Sequence, residues 1–199
     1  EHYTYFIKKL APVAEAAGVY IGIHPDDPPF YSLGGVPRCI FGTFEGYKRA
    51  LEIADSPNIG VCLCLGCWLE GGAELMGADA LTAIRTFAGM GKLFKVHFRN
   101  VSNPMGTSAP VDHGDMVTPA GGPWQESLLD EGYMDMHKVM ACLEEVGFDG
   151  CAIPDHIPNM NTEGAGLGYS IAYMRALVQS VTKRPYQPIN AQYEGSAKL

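Results

Sequence analysis

The chain has 199 residues, of which 47% are hydrophobic and 18% charged, and this composition suits one domain with a sizeable core. Its formal net charge of -8 and the lack of any Lys/Arg run argue against binding to nucleic acid or to acidic membrane surfaces. No apolar run approaches the roughly 20 residues that span a bilayer, and the amino end does not resemble a signal peptide. We therefore expect a cytoplasmic protein that acts on a small molecule.

Helical segments and short apolar strands alternate along the sequence. Hydrophobic periodicity and stop signals predict helices over residues 3–17, 44–54, 80–88, 136–146 and 170–181. Between them, short apolar runs predict strands over residues 19–24, 59–64, 93–98 and 150–154. Helices of ten or more residues between short strands are typical of βα units that build a parallel sheet.

The connections differ in length at the two ends of the predicted strands. Long segments follow the strands at residues 25–42, 67–76, 99–132 and 156–168, whereas the links from helix to strand are short. This asymmetry favours a (βα)8 barrel of the TIM type, with functional loops on one face. A doubly wound sheet is the competing fold, but the glycine-rich phosphate loop that usually marks it is absent from the sequence. Four βα units make half a barrel within residues 1–182, and residues 183–199 read as a polar extension.

Each predicted strand has a side chain that can bind a metal at its carboxyl end or one residue from it: His24, Cys64, His97 and Asp155. Parallel strands bring their carboxyl ends to one face, so these four residues can meet around one ion. Taken singly, either histidine is as well explained as a hydrogen-bonded core residue. A buried carboxylate such as Asp155 is harder to explain without a cation. The mixed ligand set suits Zn²⁺, Fe²⁺ or Mn²⁺, and affinity alone favours zinc over manganese.

The six cysteines are expected to be reduced thiols, since the chain is larger and richer in core than small disulfide-built proteins. The cluster Cys62-x-Cys64-x-x-Cys67 lacks the second cysteine pair of a strong zinc or iron–sulfur motif. Cys62 and Cys64 share a strand face, whereas Cys67 lies past the expected strand end. A single buried cysteine is more often a small hydrophobe than a ligand.

Several motifs, in order, resemble one known family. They are His24-Pro25-Asp26-Asp27-Pro28-Pro29, Gly35-Val36-Pro37-Arg38, Cys64-Leu65-Gly66, Val96-His97-Phe98-Arg99-Asn100, Leu129-Asp130-Glu131-Gly132-Tyr133-Met134-Asp135-Met136 and Pro154-Asp155-His156. Together they resemble mannonate dehydratases over nearly all of residues 1–182. The resemblance implies a xylose-isomerase-like barrel, of which this chain is the C-terminal half. It also implies conversion of D-mannonate to 2-keto-3-deoxy-D-gluconate, with Mn²⁺ or Fe²⁺, in hexuronate (glucuronate) breakdown.

The same resemblance assigns roles to individual residues. The metal ligands map onto His24, Cys64, His97 and Asp155. The two proton transfers of a dehydration map onto His156 and a tyrosine after it, for which we choose Tyr169 and keep Tyr173 as an alternative. Arg38, Arg99 and Asn100 are expected to hold the substrate, because an aldonate offers a carboxylate and hydroxyls to guanidinium and amide groups. Asp26 and Asp27 could order the loop or approach the site, but Asp beside a proline is ordinary turn chemistry, and the turn interpretation is favoured.

Two departures from the family pattern have consequences. Cys67 stands where the family usually has a small hydroxyl residue, which adds an oxidisable thiol near the ion. The amino half of the barrel is not in this sequence, so the exposed edges are expected to be covered by the rest of the same barrel or by a second copy in a homo-oligomer. A metal-dependent sugar isomerase or epimerase and a non-catalytic protein of the same fold are the alternative functions.

Overall fold

The computed structural model describes residues 1–29, 39–102 and 124–182, and beyond these the backbone of residues 32–33, 36–37, 111–112 and 117–118. Two predictions fall outside the described residues. These are the substrate-binding role of Arg38 and the polar extension over residues 183–199.

The described part of the chain contains six helices and ten strands. The helices are α1 (His2–Ala17), α2 (Phe44–Ala54), α3 (Leu65–Met76), α4 (Ala80–Gly89), α5 (Met136–Glu145) and α6 (Ala165–Val181). The strands are β1 (Ile21–Ile23), β2 (Ser32–Leu33), β3 (Val36–Pro37), β4 (Ile59–Cys64), β5 (Leu93–Phe98), β6 (Asn100–Val101), β7 (Val111–Asp112), β8 (Val117–Thr118), β9 (Glu126–Ser127) and β10 (Cys151–Pro154). None of the described helices is long and apolar enough to cross a membrane.

Four strands form a parallel sheet in the order β1-β4-β5-β10, which is also their order along the chain. The short strands pair separately and antiparallel, as β2 with β3, β6 with β9, and β7 with β8. All residues of β4 are buried, whereas β1 and β10 are partly exposed and each has a strand neighbour on one side only within the described residues. Successive parallel strands linked by helices confirm the predicted α/β architecture.

Local signals place the helix starts as the sequence predicts. The hydroxyl of Thr43 accepts a hydrogen bond from the Gly46 amide at 3.1 Å, and the carboxylate of Asp135 accepts from the His137 amide at 2.9 Å. Both side chains satisfy amides that the first helical turn leaves free, which fixes where α2 and α5 begin. The strands that follow these two helices end beside two of the candidate ligands.

Two predicted loops are wrong in part. The segment over residues 67–76 belongs to α3, which starts directly after β4 and buries Leu65, Trp68 and Leu69 at helical spacing. Core burial of that apolar stripe outweighs the low helix propensity of the glycines, and the helix breaks only at Gly72, where φ is 62°. The predicted loop over residues 156–168 is also shorter than expected, because α6 begins at Ala165 and places Tyr169 inside the helix.

Candidate metal and proton-transfer site

The four residues predicted as metal ligands come together at the carboxyl ends of the parallel strands. Cys64 and His97 are register partners at the ends of β4 and β5, while His24 and Asp155 follow β1 and β10 directly. Asp155 Oδ2 lies 3.3 Å from His97 Nδ1 and 3.9 Å from Cys64 Sγ. The imidazole rings of His24 and His97 have centroids 5.0 Å apart. Potential ligand atoms of Cys64, His97 and Asp155 all lie within 4.8 Å of one another, and so do those of His24, Cys64 and Cys67.

The surroundings of the two histidines are compatible with binding of a divalent ion. His97 Nδ1 is buried and has no hydrogen-bond partner among the described residues, although it faces the Asp155 carboxylate. His24 Nδ1 lies 2.8 Å from the Pro25 carbonyl oxygen. Ligating histidines usually donate one ring N–H to such an acceptor, which orients the other nitrogen toward the metal. The donor set of two imidazoles, a thiol and a carboxylate therefore fits a divalent cation.

The electrostatics at Cys64 favour a thiolate. A hydrogen bond from Cys67, together with hydrogen bonds from His24 and His97, lowers the pKa of Cys64 well below its ordinary value despite its burial. The same hydrogen bonds raise the pKa values of the groups that donate them, Cys67 and His24. The pKa of Cys67 is raised by its hydrogen bond to Cys64 and by burial, and the pKa of His24 is raised mainly by its hydrogen bond to Cys64. One sulfur in this pair is thus set up as an anionic ligand.

Cys67 lies close to Cys64, although the sequence places it past the end of the strand that carries Cys62 and Cys64. Cys64 is the N-cap residue of α3, and the first helical turn returns Cys67 to the same side, buried against Cys64 and His24. The two cysteines form one local unit in which a thiol donates to a thiolate.

A buried guanidinium lies directly behind the sulfur atoms. The Arg99 side chain is fully buried and its Nη2 pairs with carboxylate oxygens of both Glu70 and Glu126, while Nε donates to Glu126 at 2.9 Å. Its Nη1 lies 3.9 Å from Cys64 Sγ and 3.8 Å from Cys67 Sγ. Arg99 thereby supplies a fixed positive charge between these two glutamates and the candidate ligands.

Two close approaches explain the sequence around this arginine. A Cβ atom at Gly66 would overlap the Arg99 side chain, so only glycine leaves room for the guanidinium beneath α3. Asp27, interpreted from sequence as a turn residue, lies with its carboxylate 3.7 Å from Arg99 Nη1 and 3.9 Å from His156 Nε2. The structure therefore adds Asp27 to the site.

Asn100 is fully buried, and its amide group organises a neighbouring segment of the chain. Its Nδ2 donates to the carbonyl oxygens of Leu129 and Met134, both at 2.9 Å, while Oδ1 accepts from the Val101 and Met134 amides. These bonds use the hydrogen-bonding capacity of the side chain. Arg99 and Asn100 are thus both engaged inside the protein, and direct contact of either with a substrate stays a prediction.

His156 is partly exposed beside the ligand cluster. Its backbone φ is 47°, in the left-handed region that residues other than glycine seldom adopt. Such backbone conformations are found more often at functional sites than elsewhere. Nδ1 lies 3.0 Å from Glu126 Oε1, and Nε2 lies 3.9 Å from both Asp155 Oδ2 and Asp27 Oδ2. The ring therefore presents Nε2 to the carboxylates of the site. The predicted proton-transfer role of His156 fits this placement.

Tyr169, the second predicted proton-transfer residue, is exposed on α6, where its hydroxyl donates a hydrogen bond to Asp130. That bond raises the pKa of Tyr169 above its ordinary value. Tyr173, the alternative, packs against the core, and burial raises its pKa. Among the described residues, no contact is found between Tyr169 and His156. The catalytic role of Tyr169 therefore stays a prediction.

Glu70 and Glu126 are the site residues that sequence reasoning missed. Glu70 interrupts the apolar stripe of α3, and a charged residue at a core-facing helical position is a signal that could have identified it. Glu126 carries no comparable local signal. Its place follows from the pairing of β9 with β6, which sets Glu126 opposite Val101 and close to Arg99.

Burial of Glu70 predicts a pH dependence of stability. Desolvation outweighs the attraction of Arg99 and raises the pKa of Glu70 from an ordinary 4.5 to about 8. Between these values the folded state binds more protons than the unfolded state, so this residue's contribution to stability is present near pH 4.5 and is lost as the pH rises through about 8. We expect the wild type to lose stability relative to Glu70→Gln between pH 5 and pH 8, as measured by denaturant unfolding. A constant difference between the two proteins would instead indicate that Glu70 is ionised throughout.

The fold and the site together define a class of protein. Four consecutive βα units carry a set of metal-capable side chains at their strand ends, as in a metal-dependent enzyme of the TIM-barrel type. The family model for D-mannonate dehydratase (UxuA) matches residues 1–185, and the chain belongs to this family. The resemblance predicted from the motifs is confirmed.

Curated relatives agree with the family match. A mannonate dehydratase from Streptococcus agalactiae serotype V is 34% identical over 191 residues, covering 95% of this chain and 49% of the relative. The mannonate dehydratase of Bacillus subtilis is 32% identical over 177 residues, covering 89% of this chain and 43% of the relative. The chain therefore spans about half the length of the curated relatives it matches.

Solved structures are similar over the same extent. The crystal structure of mannonate dehydratase from Streptococcus suis serotype 2 has a TM-score of 0.69 and 28% identity, and the match covers 89% of this chain and 48% of that one. A xylose isomerase domain protein from Alicyclobacillus acidocaldarius has a TM-score of 0.61 at 13% identity, covering 90% of this chain and 59% of that one, which shows likeness of fold alone.

Proposed function

We propose that the protein containing this chain is a metal-dependent hydro-lyase that dehydrates D-mannonate to 2-keto-3-deoxy-D-gluconate in hexuronate (glucuronate) catabolism. Family membership supports the reaction, and one observation supports the location of the site. His24, Cys64, His97 and Asp155 converge at one end of the sheet, with the partly exposed His156 beside them.

The proposed metal is Mn²⁺ or Fe²⁺, with His24, Cys64, His97 and Asp155 as its protein ligands. Two observations support this assignment: the His24 ring is oriented by the Pro25 carbonyl, and the buried His97 Nδ1 has no hydrogen-bond partner among the described residues. The choice of manganese or iron rests on the family, because this ligand set by itself suits zinc as well. When bound, such an ion supplies Lewis-acid stabilisation for the charge that develops on the carboxylate end of the substrate.

The two proton transfers are proposed for His156 and Tyr169. Dehydration of an aldonate removes the proton next to the carboxylate and protonates the departing hydroxide, so it needs two positioned groups. The exposed Nε2 edge of His156 supports one of these roles. Tyr169 is proposed for the second proton transfer on the basis of the family pattern. Its hydroxyl would then break its hydrogen bond to Asp130 and bond to the substrate.

The remaining polar residues are proposed to hold the substrate or to support the site. Arg38 is proposed to bind the aldonate carboxylate, on the strength of the motif in which it lies. Arg99 and Asn100 are proposed to contribute mainly by fixing neighbouring groups, since both are fully buried and engaged. We further propose that the chain acts in the cytoplasm as the C-terminal half of a barrel. The other half of the barrel is proposed to come from the same polypeptide. Alternatively, a second copy of the chain in a homo-oligomer would cover the exposed edges.

The proposal is tested by assaying the full-length protein with Mn²⁺ and D-mannonate and following 2-keto-3-deoxy-D-gluconate. Other aldonates and aldose–ketose pairs are the comparison substrates. We expect product from D-mannonate, and loss of turnover when the metal is removed by a chelator. Isomerisation of a sugar without dehydration of any aldonate would favour the isomerase alternative. Tight metal binding without turnover of any of these substrates would favour a non-catalytic protein.

A further inference from the structure

A chain of ionisable side chains leads from the protein interior to His156. It begins at the fully buried Glu70, continues through the Arg99 guanidinium to Glu126, and ends at His156 Nδ1. The contact between Arg99 and Glu126 is a two-point one, in which Nε donates to one carboxylate oxygen and Nη2 to the other. Such a fork fixes both the distance and the plane of the carboxylate.

The backbone also holds Glu126 in place. Glu126 lies in β9, where it is the register partner of Val101 in β6, and β6 begins directly after Arg99. Glu126 is therefore carried by a strand whose partner begins one residue after Arg99, so strand pairing brings the two side chains of the ion pair close together. Glu126 is about one-quarter exposed, and its Oε1, which also accepts from Arg99 Nη2, lies 3.0 Å from His156 Nδ1.

His156 needs an external group to orient its ring. Nearly half of the side chain is exposed, and the backbone has the positive φ described above. The bond at 3.0 Å from Nδ1 to Glu126 is the short polar contact of the ring, and on the opposite edge Nε2 faces Asp27 and Asp155 at 3.9 Å. A carboxylate clasped by a guanidinium can only accept a hydrogen bond, so Nδ1 must carry the proton.

We propose that Glu126 is a positioning residue for proton transfer by His156, with buried Arg99 holding Glu126 in place. The carboxylate selects the tautomer of His156 that has its proton on Nδ1, which leaves the Nε2 lone pair facing the reacting groups. When Nε2 takes a proton from the substrate, that proton stays on the ring, and Glu126 remains a carboxylate that stabilises the imidazolium. This inference rests on the proposed role of His156.

The tautomer can be measured without relying on activity. In the full-length protein, labelled with ¹⁵N at histidine and loaded with diamagnetic Zn²⁺, long-range ¹H–¹⁵N spectra report which ring nitrogen carries the proton. We expect His156 in its neutral form to be protonated at Nδ1 in the wild type. Glu126→Ala should lose this preference, and kcat should fall by roughly 10- to 100-fold while KM changes little, the usual size of losing an orienting partner. Ser127→Ala, at the next position of β9, is the matched control and should keep the Nδ1 proton.

The outcomes separate this inference from the proposed function. A wild-type His156 protonated mainly at Nε2 would overturn the inference, and that measurement needs no variant to fold. Retention of the Nδ1 proton in Glu126→Ala would overturn it as well. If the tautomer is as expected but His156→Ala retains turnover, the proposed role of His156 fails while the structural effect of Glu126 stands.

Discussion

Replacing His156 by alanine is expected to reduce kcat for D-mannonate by roughly 10²- to 10⁴-fold, the usual contribution of a group that transfers a proton in the transition state. Metal binding should be retained. The reason is that His156 Nε2 lies 3.9 Å from Asp155 Oδ2, outside the ligand groups formed by His24, Cys64, Cys67, His97 and Asp155. Steady-state kinetics and metal analysis of the purified variant measure the two effects separately.

His137→Ala provides the control for this variant. His137 is exposed on α5, where its backbone amide, not its ring, bonds to the capping residue Asp135. Its removal should leave kcat and metal content unchanged. Turnover by His156→Ala within tenfold of the wild type would show that another residue carries the proton. Loss of metal together with turnover would instead make His156 part of the metal site.

Replacing Cys64 by serine is expected to remove the bond between sulfur and the metal and to weaken metal binding. Cys64 is buried at the junction of β4 and α3, and hydrogen bonds from Cys67, His24 and His97 favour its thiolate. In the Co²⁺-loaded protein the wild type should show a sulfur-to-metal charge-transfer band in the near ultraviolet, and Cys64→Ser should lose it. Affinity for Mn²⁺ should fall by more than the roughly 10- to 100-fold that loss of an outer-shell partner costs, with a matching loss of turnover.

Cys62→Ser is the matched control for the cysteine variant. Cys62 lies on the same face of β4, two residues before Cys64, and it does not belong to the ligand groups found among the described residues. Burial raises the pKa of Cys62 to about 11, so it stays a thiol. The charge-transfer band should survive in this variant. If the band persists in Cys64→Ser, another cysteine must be the sulfur ligand, and Cys67, which lies beside Cys64, would be the candidate.

The fold could be predicted from local patterns because each element carries its own signal. Capping residues such as Thr43 and Asp135 and the apolar strands before Cys64 and His97 follow rules of local sequence. Helix α3 was missed, because its glycines resemble a loop and only tertiary burial of Trp68 and its neighbours makes it helical. The predicted start of α6 at residue 170 is five residues too late, because the glycines near its true start at Ala165 conceal the helical periodicity.

The candidate site divides in a similar way. Ligands at strand ends could be predicted, because a parallel sheet brings the carboxyl ends of its strands together whatever lies between them. The residues behind the ligands could not. Glu126 meets Arg99 through strand pairing across a long connection, and Asp27 reaches His156 from a loop that sequence alone describes as a turn. The substrate contact of Asn100 stays a prediction, and its bonds to Leu129 and Met134 depend on a distant segment that the motif around Asn100 does not reveal.

His24, Cys64, His97 and Asp155 are proposed to bind one divalent ion at the strand ends. A crystal structure of the full-length protein with Mn²⁺, using anomalous diffraction to locate the metal, tests it most directly. We predict a single strong anomalous peak within bonding distance of all four side chains, with Arg99 still paired to Glu126 behind it. A peak held instead by Asp27, Cys67 and Glu70, a third group of potential ligands among the described residues, would contradict this proposal. So would the absence of bound metal at these four residues.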